Sequence, residues 1–283
     1  ASAVRAAGGT VRTGVRVAGI RTAGGRTQGI TLASGREIDA PVVISSGDPR
    51  ATIVDLLEAV PSGGGDFVQR WRSKDGGEGY ESKVDAVITE RPRPRALKDE
   101  HLAALGVDDP LHATMVVMPS MAGLKGAADA AAHGRIARRP PFLSNVPSVL
   151  DPSVAPAPGE HVFSLEVLFT PYSLDGGWST SREPERWLEA FASLVQPGFL
   201  EGVQRWRLVG PADYERDFSM PRGHAPSFPG GPLAALLGRD RELTRYRTPV
   251  PGLFLTGAGT FPGAGVSGAP GRNAAQVVLG DLA

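Results

Sequence analysis

The sequence predicts an α/β fold, an incomplete Rossmann-like domain with an inserted domain of antiparallel β-sheet plus helices. Three observations carry this expectation. At the C-terminus an apolar strand, Leu253–Thr256, runs into a glycine-dense turn that opens a helix from about Ser267 to Leu282. Near the N-terminus a second apolar strand, Val42–Ser45, ends in Ser45-Ser46-Gly47-Asp48-Pro49 and leads into helical sequence at 51–57. Between about Phe67 and Ala212 the chain becomes strand-rich, with long Gly/Pro/Ala connections, and then changes back. The outer segments, 1–62 and 207–283, are expected to form one domain, with 63–206 as the insert. Strands 42–45 and 253–256 should then be neighbours in one sheet.

The elements follow from local pattern. Ala1–Ala7 reads as helical, ended by Gly8-Gly9. Residues 10–15, 16–22 and 27–32 alternate enough for strands, with a turn at Ala23-Gly24-Gly25, and Glu37–Ile38 extends the meander. Asp48 before Pro49 suits a helix cap with proline at the first helical position. Gly63-Gly64-Gly65 reads as a loop. Lys83–Thr89, His112–Met118, His161–Phe169 and Gly202–Val209 are strand-like. Helices are expected near 97–105, 123–132 and 183–195, and Pro141–Val154 reads as loop. Trp187, Leu188, Phe191 and Leu194 share one helical face, as a core stripe or the lining of a tunnel.

Composition narrows the function. Hydrophobic residues are 41% and charged residues 21% of 283, with a formal net charge of +0. Without a long basic run, nucleic acid is not an expected partner. Arg91–Arg95 (RPRPR) is short and broken by prolines, and it reads as a surface loop or a phosphate or headgroup contact. The absence of cysteine excludes thiol catalysis, a redox dithiol and cysteine-ligated metal within this chain. Any redox chemistry must sit on a bound cofactor. The five histidines form no HxH, HxxxH or HExxH spacing, so no metal site is expected. No apolar run is long enough to span a bilayer. The location expected is cytoplasmic, with a peripheral membrane contact left open. No nucleophile elbow accompanies a Ser-His-Asp set.

The C-terminal turn holds Gly257, Ala258, Gly259, Thr260, Phe261, Gly263, Gly265, Val266 and Ser267. Glycines here let the backbone come close to another group. A helix N-terminus after such a turn presents free N–H groups and a positive dipole end, suited to an anion or an electron-rich ring edge. The segment GLFLTGAGTFPGAGVSGAPGRNAA resembles the flavin-contacting motif of phytoene desaturase-like FAD-dependent oxidoreductases, a group that includes the pyridine nucleotide-disulphide oxidoreductase domain 2-like proteins. Glu37–Ala51, Thr170–Trp178 with Gln196–Phe199, and Val209–Phe218 leading into Gly230-Gly231 fit the same family.

The resemblance implies FAD as cofactor. Ser45 and Gly47 would lie near the dinucleotide, and Gly257, Ala258, Gly259, Thr260, Gly263, Gly265, Val266 and Ser267 would contact the flavin end. Phe261 and His224 would lie near the substrate, although His224 reads first as a structural loop residue. Arg272 is left between a phosphate contact and packing. No catalytic side chain is identified. The implied reaction is hydride removal from an apolar, carotenoid- or isoprenoid-like substrate, with oxygen, a quinone or another acceptor reoxidising the flavin. Two departures stand out. No acidic residue follows strand 253–256, and no GxGxxG lies between a strand and a helix with an acid about 20 residues on. The chain therefore reads as the C-terminal portion of a longer or split enzyme. It would bind FAD tightly only with an N-terminal segment or subunit, with a homodimeric contact as the other way to cover the sheet edge. The alternatives are a non-catalytic interaction protein or inactive fragment retaining the fold, and a small self-contained protein with a glycine-rich loop.

Overall fold

The structure is a computed structural model and describes residues 1–60, 64–229, 232–238 and 240–283. The boundary expected between 62 and 63 and the Gly230-Gly231 pair lie outside the described residues. Ten strands are present among the described residues: β1 Val17–Ala23, β2 Arg26–Leu32, β3 Glu37–Asp39, β4 Val43–Ser45, β5 Glu81–Ile88, β6 Met115–Val117, β7 Phe142–Asn145, β8 His161–Leu168, β9 Val203–Val209 and β10 Leu253–Leu255. They divide between two compact units, residues 1–76 with 225–283, and residues 77–224.

In the first unit β1, β2 and β3 form an antiparallel meander. Its hairpin turns on Gly24 and Gly25, both at positive φ, which suits the right-handed twist of the flanking strands. Residues 10–15, expected as a strand, form none. Gly14 sits at φ +68° and nearly every side chain there is exposed, so no buried face holds an extended strand in place. β4 and β10 pair in parallel, Val43 opposite Leu253 and Ser45 opposite Leu255, as the two-segment reading requires. All three β10 residues are buried, Leu253 and Leu255 in one cluster with Ile20, Ile53, Trp71 and Leu243 among others.

Helix Gly65–Arg72 starts on the last glycine of the Gly63-Gly64-Gly65 run that reads as loop, and the sequence reading assigns no element to the Phe67, Val68 and Trp71 that follow. These three side chains are buried in the first unit's core. The Trp71 indole donates to Glu242 Oε1 at 2.6 Å and Arg70 Nη2 donates to the same oxygen at 2.7 Å. That staple keeps 64–76 with the first unit, although the reading from sequence ends the first segment at 62.

The second unit is one antiparallel sheet in the order β6-β7-β8-β5-β9. β9 pairs with β5 along Val203–Val209, so the switch point expected at 206/207 falls inside a strand and the unit runs on to His224. β7 sits between β6 and β8 in sequence that reads as loop. It has four residues between prolines 140–141 and Pro147, too few to show alternation. Along β5 the side chains of Ser82, Val84, Ala86 and Ile88 are buried on one face. Helix Glu183–Ala192 lays Trp187, Leu188 and Phe191 into the core on that face, and the Phe191 ring stands 4.8 Å from those of Phe163 and Phe199. The stripe is therefore core. Leu194 lies outside it because the helix ends at Ala192, and Val195 takes the buried place. Among the described residues no helix is long and apolar enough to cross a membrane. The α/β class, with a partial FAD-type domain and an antiparallel sheet domain, is the fold read from the sequence.

Candidate functional site

The site candidate in the first unit is built where β4 and β10 end side by side. Asp48 caps the short helix after β4, its Oδ1 accepting from Ala51 N at 2.7 Å with Pro49 next in line. Ser45 donates its hydroxyl to Thr52 Oγ1 at 2.7 Å, since Thr52 itself donates to the Asp48 carbonyl. The Ser45 carbonyl accepts from Thr256 N at 2.8 Å. Gly47 is exposed and would meet only ordinary contacts if it carried a Cβ.

The glycines of the C-terminal turn fall into two sets. Gly257 has φ +87°, and a Cβ there would lie 2.8 Å from the Ser46 carbonyl oxygen. A Cβ at Gly259 would lie 2.7 Å from the Pro49 ring. The bare Cα of each of these two glycines thus admits the chain's own β4 connection. Thr260, fully buried, donates its hydroxyl to the Gly257 carbonyl at 2.8 Å, and its amide closes the same turn at 3.0 Å. Ala258 accepts from Phe228 N through its carbonyl, and Gly263 donates to the Thr260 carbonyl. Phe261 is half-buried, its ring 5.5 Å from Phe228 and its amide on the Leu243 carbonyl at 2.8 Å. Tyr246 donates to the Phe261 carbonyl at 2.5 Å and accepts from Asn273 Nδ2 at 2.9 Å. This strap ties the turn to the C-terminal helix.

The second set is open. Gly265, Val266, Ser267, Gly268 and Gly271 are exposed, Val266 entirely so. A Cβ at Gly268 or Gly271 would meet no atom within 4 Å. The helix runs Ala269–Leu282 and starts two residues later than its sequence suggests, because Gly268 at φ +65° takes the cap position. Arg272 is exposed at its start, while Asn273 turns inward to the strap. At the end of β10, Thr256 Oγ1 is buried without a hydrogen-bond partner. That orphaned hydroxyl stands directly before the turn, where a polar ligand group would satisfy it.

His224 ends the second unit. Its ring packs on Gly77, where a Cβ would lie 3.0 Å away, and its Nδ1 is buried without a partner. On the β5 face opposite the aromatic core, Glu81 and Glu166 share a hydrogen bond from diagonal positions on β5 and β8. Burial, and then the Glu166 carboxylate, push Glu81 up to about 7. Burial, and then the same two carboxylates, raise the Tyr214 hydroxyl as well.

A Glu81 value near 7 against an ordinary 4.5 means the folded chain holds a proton that the unfolded chain releases. Its contribution to stability is complete below about 4.5 and lost as pH rises through about 7. The thermal midpoint should fall across that window in the wild type and stay flatter in Glu81→Gln. Equal slopes for the two proteins in a pH series of melts would refute the shared proton.

Thr256, Tyr246, Asn273, Glu242 and the Glu81–Glu166 pair are absent from the sequence-derived site. Alternation along 81–88 places Glu81 on one face, but its partner depends on a register between strands about 80 residues apart. The Tyr246–Asn273 contact likewise carries no local signal.

No protein-family model matches the chain. It is 33% identical over 301 residues to the pyridine nucleotide-disulfide oxidoreductase domain-containing protein 2 of Mus musculus, covering 100% of this chain and 49% of that protein. It is 27% identical over 279 residues to a neurosporene-forming phytoene desaturase of Cereibacter sphaeroides, covering 96% of this chain and 49% of that one. Among solved structures, an oxidoreductase from Methanosarcina mazei shares the fold over 99% of this chain and 52% of its own, with a TM-score of 0.55 at 17% identity. The chain thus resembles, along its whole length, oxidoreductases of the phytoene desaturase and pyridine nucleotide-disulfide oxidoreductase domain 2 group. It spans about half the length of the curated relatives it matches.

Proposed function

We propose that this chain is the flavin-end portion of an FAD-dependent oxidoreductase that removes hydride from an apolar, carotenoid- or isoprenoid-like substrate. The observation that carries the reading is the β4–β10 pair opening into a glycine turn, in a chain similar throughout to oxidoreductases. The residues fit the group. Thr256 offers an unsatisfied hydroxyl, and Gly265–Gly268 leave exposed backbone before a helix of 14 residues. Bound FAD would supply the ring that accepts hydride.

Gly265, Val266 and Ser267 would hold the edge of that ring against the helix start, where the dipole favours growing electron density. Gly257, Ala258, Gly259, Thr260 and Gly263 hold the turn in shape. Ser45 and Gly47 lie at the end of the neighbouring strand. Phe261 and Val266 would offer apolar surface to a substrate and, once covered by it, keep water away.

A parallel sheet of two strands is a fragment of the usual arrangement. β4 pairs with β10 alone among the described residues, and Ile44 is 47% exposed on it. This supports a partner segment that pairs along β4 and brings the phosphate-binding glycine turn. In this proposal the segment precedes the chain, in the same polypeptide or as a separate subunit.

The substrate class is tested on the full-length protein carrying its flavin. Phytoene added without oxygen should bleach the visible flavin absorbance. Flavin that stays oxidised through such an addition, yet is bleached by dithionite, would remove apolar polyenes from the proposal.

A further inference from the structure

Beneath the β5–β6 connection of the second unit lies a partly open chamber of about 130 Å³, walled mostly by apolar side chains, with Thr114, Ser144 and Asn145 also in its lining. Its floor is the aromatic core, with Val146, Phe163 and Phe191 all buried. Its roof is the segment 91–109, which carries helix Asp99–Leu105 and turns Leu97, Leu102 and Val107 towards the space. The roof is fixed along one side and at its base. Arg95 N donates to the Leu194 carbonyl and Gln196 N to the Arg93 carbonyl, each at 2.9 Å. Arg91 and Asp109 form an ion pair where the segment leaves and rejoins the body of the unit. A second chamber of about 270 Å³ shares the roof and is polar, with Arg93, Asp108 and Gln196 among its walls.

A mostly apolar space of this size holds water poorly, because its walls offer few polar partners. An empty one lowers stability roughly in proportion to its volume, since its walls forfeit their contacts. Here the space lies under a segment anchored on two sides, next to a polar antechamber. That is the arrangement of a ligand site with an apolar end and a wet mouth. We propose that the inner chamber takes a neutral hydrocarbon group about the size of benzene, which cavities of ~150 Å³ accommodate. The group is the apolar end of a longer ligand whose polar part remains in the outer chamber. Only the second unit is needed for this, so the inference does not rest on the cofactor reading.

Benzene is the probe for the inner chamber. The thermal midpoint of the wild-type chain should rise in benzene-saturated buffer, and Val107→Phe, which fills the space from the roof, should melt at the same temperature with and without benzene. Leu102→Phe serves as a second filling variant should the first fail to fold. Crystals of the wild type under xenon pressure should hold xenon between Phe163 and the roof. No rise for the wild type, an equal rise in a folded filling variant, or xenon absent from this chamber would each overturn the proposal.

Discussion

Gly257→Val is expected to cost the first unit about 2–5 kcal/mol. The left-handed φ of +87° alone costs a side-chain-bearing residue roughly 1–2 kcal/mol. A Cβ only 2.8 Å from the Ser46 carbonyl adds an overpacking cost of about 1–3 kcal/mol, because the obstacle is backbone in the paired β4 connection and cannot rotate away. The β-branched valine suits this conformation least of all. Denaturant unfolding should show the loss as an earlier midpoint, and the full-length protein should lose its flavin with it. Gly271→Ala is the contrast. It lies in the first turn of the C-terminal helix with no atom within 4 Å of the added methyl, and alanine there should be neutral or stabilising by up to about 1 kcal/mol. A Gly257→Val protein as stable as wild type would show that β4 and β10 are not held together through this turn.

The contrast between these two glycines marks how far the sequence could be read. The strand–turn–helix order at 253–282 and the cap at Asp48 are local, and the pairing of the two short apolar strands follows from reading the outer segments as one domain. All of these appear in the structure. Which glycines face the protein and which face open space is not local. Gly257 and Gly268 look alike in a string of glycines, yet one abuts Ser46 and the other nothing. Helix Gly65–Arg72 and β7 are hidden by their glycine and proline flanks. Their burial comes from partners far along the chain, Glu242 for the helix and Phe142's neighbour Val167 for the strand. The unit boundaries shift for the same reason, since a strand or helix belongs to whichever core buries it. At the site, the turn residues carry a recognisable pattern. The Thr256 hydroxyl and the Tyr246–Asn273 strap do not, because a hydroxyl's lack of a partner and a contact across 27 positions exist only once the chain has folded.

The central claim is that this chain supplies the flavin end of an FAD site and relies on another segment for the phosphates. The second large effect expected is therefore on cofactor affinity. Pyrophosphate contacts from a glycine turn at a helix N-terminus, and a carboxylate on the ribose, normally fix the dinucleotide. No described turn of this chain offers that combination. FAD titrated against the isolated 283-residue chain, followed by quenching of flavin fluorescence, should show weak or no binding. The same titration on the full-length gene product, stripped of flavin, should saturate at one FAD per chain. Gly268→Val in the full-length protein, with a cost confined to its own φ, should weaken that binding while leaving the fold intact. Stoichiometric tight binding by the isolated chain would contradict the division of the site, and a full-length protein that takes up no FAD would contradict the assignment itself.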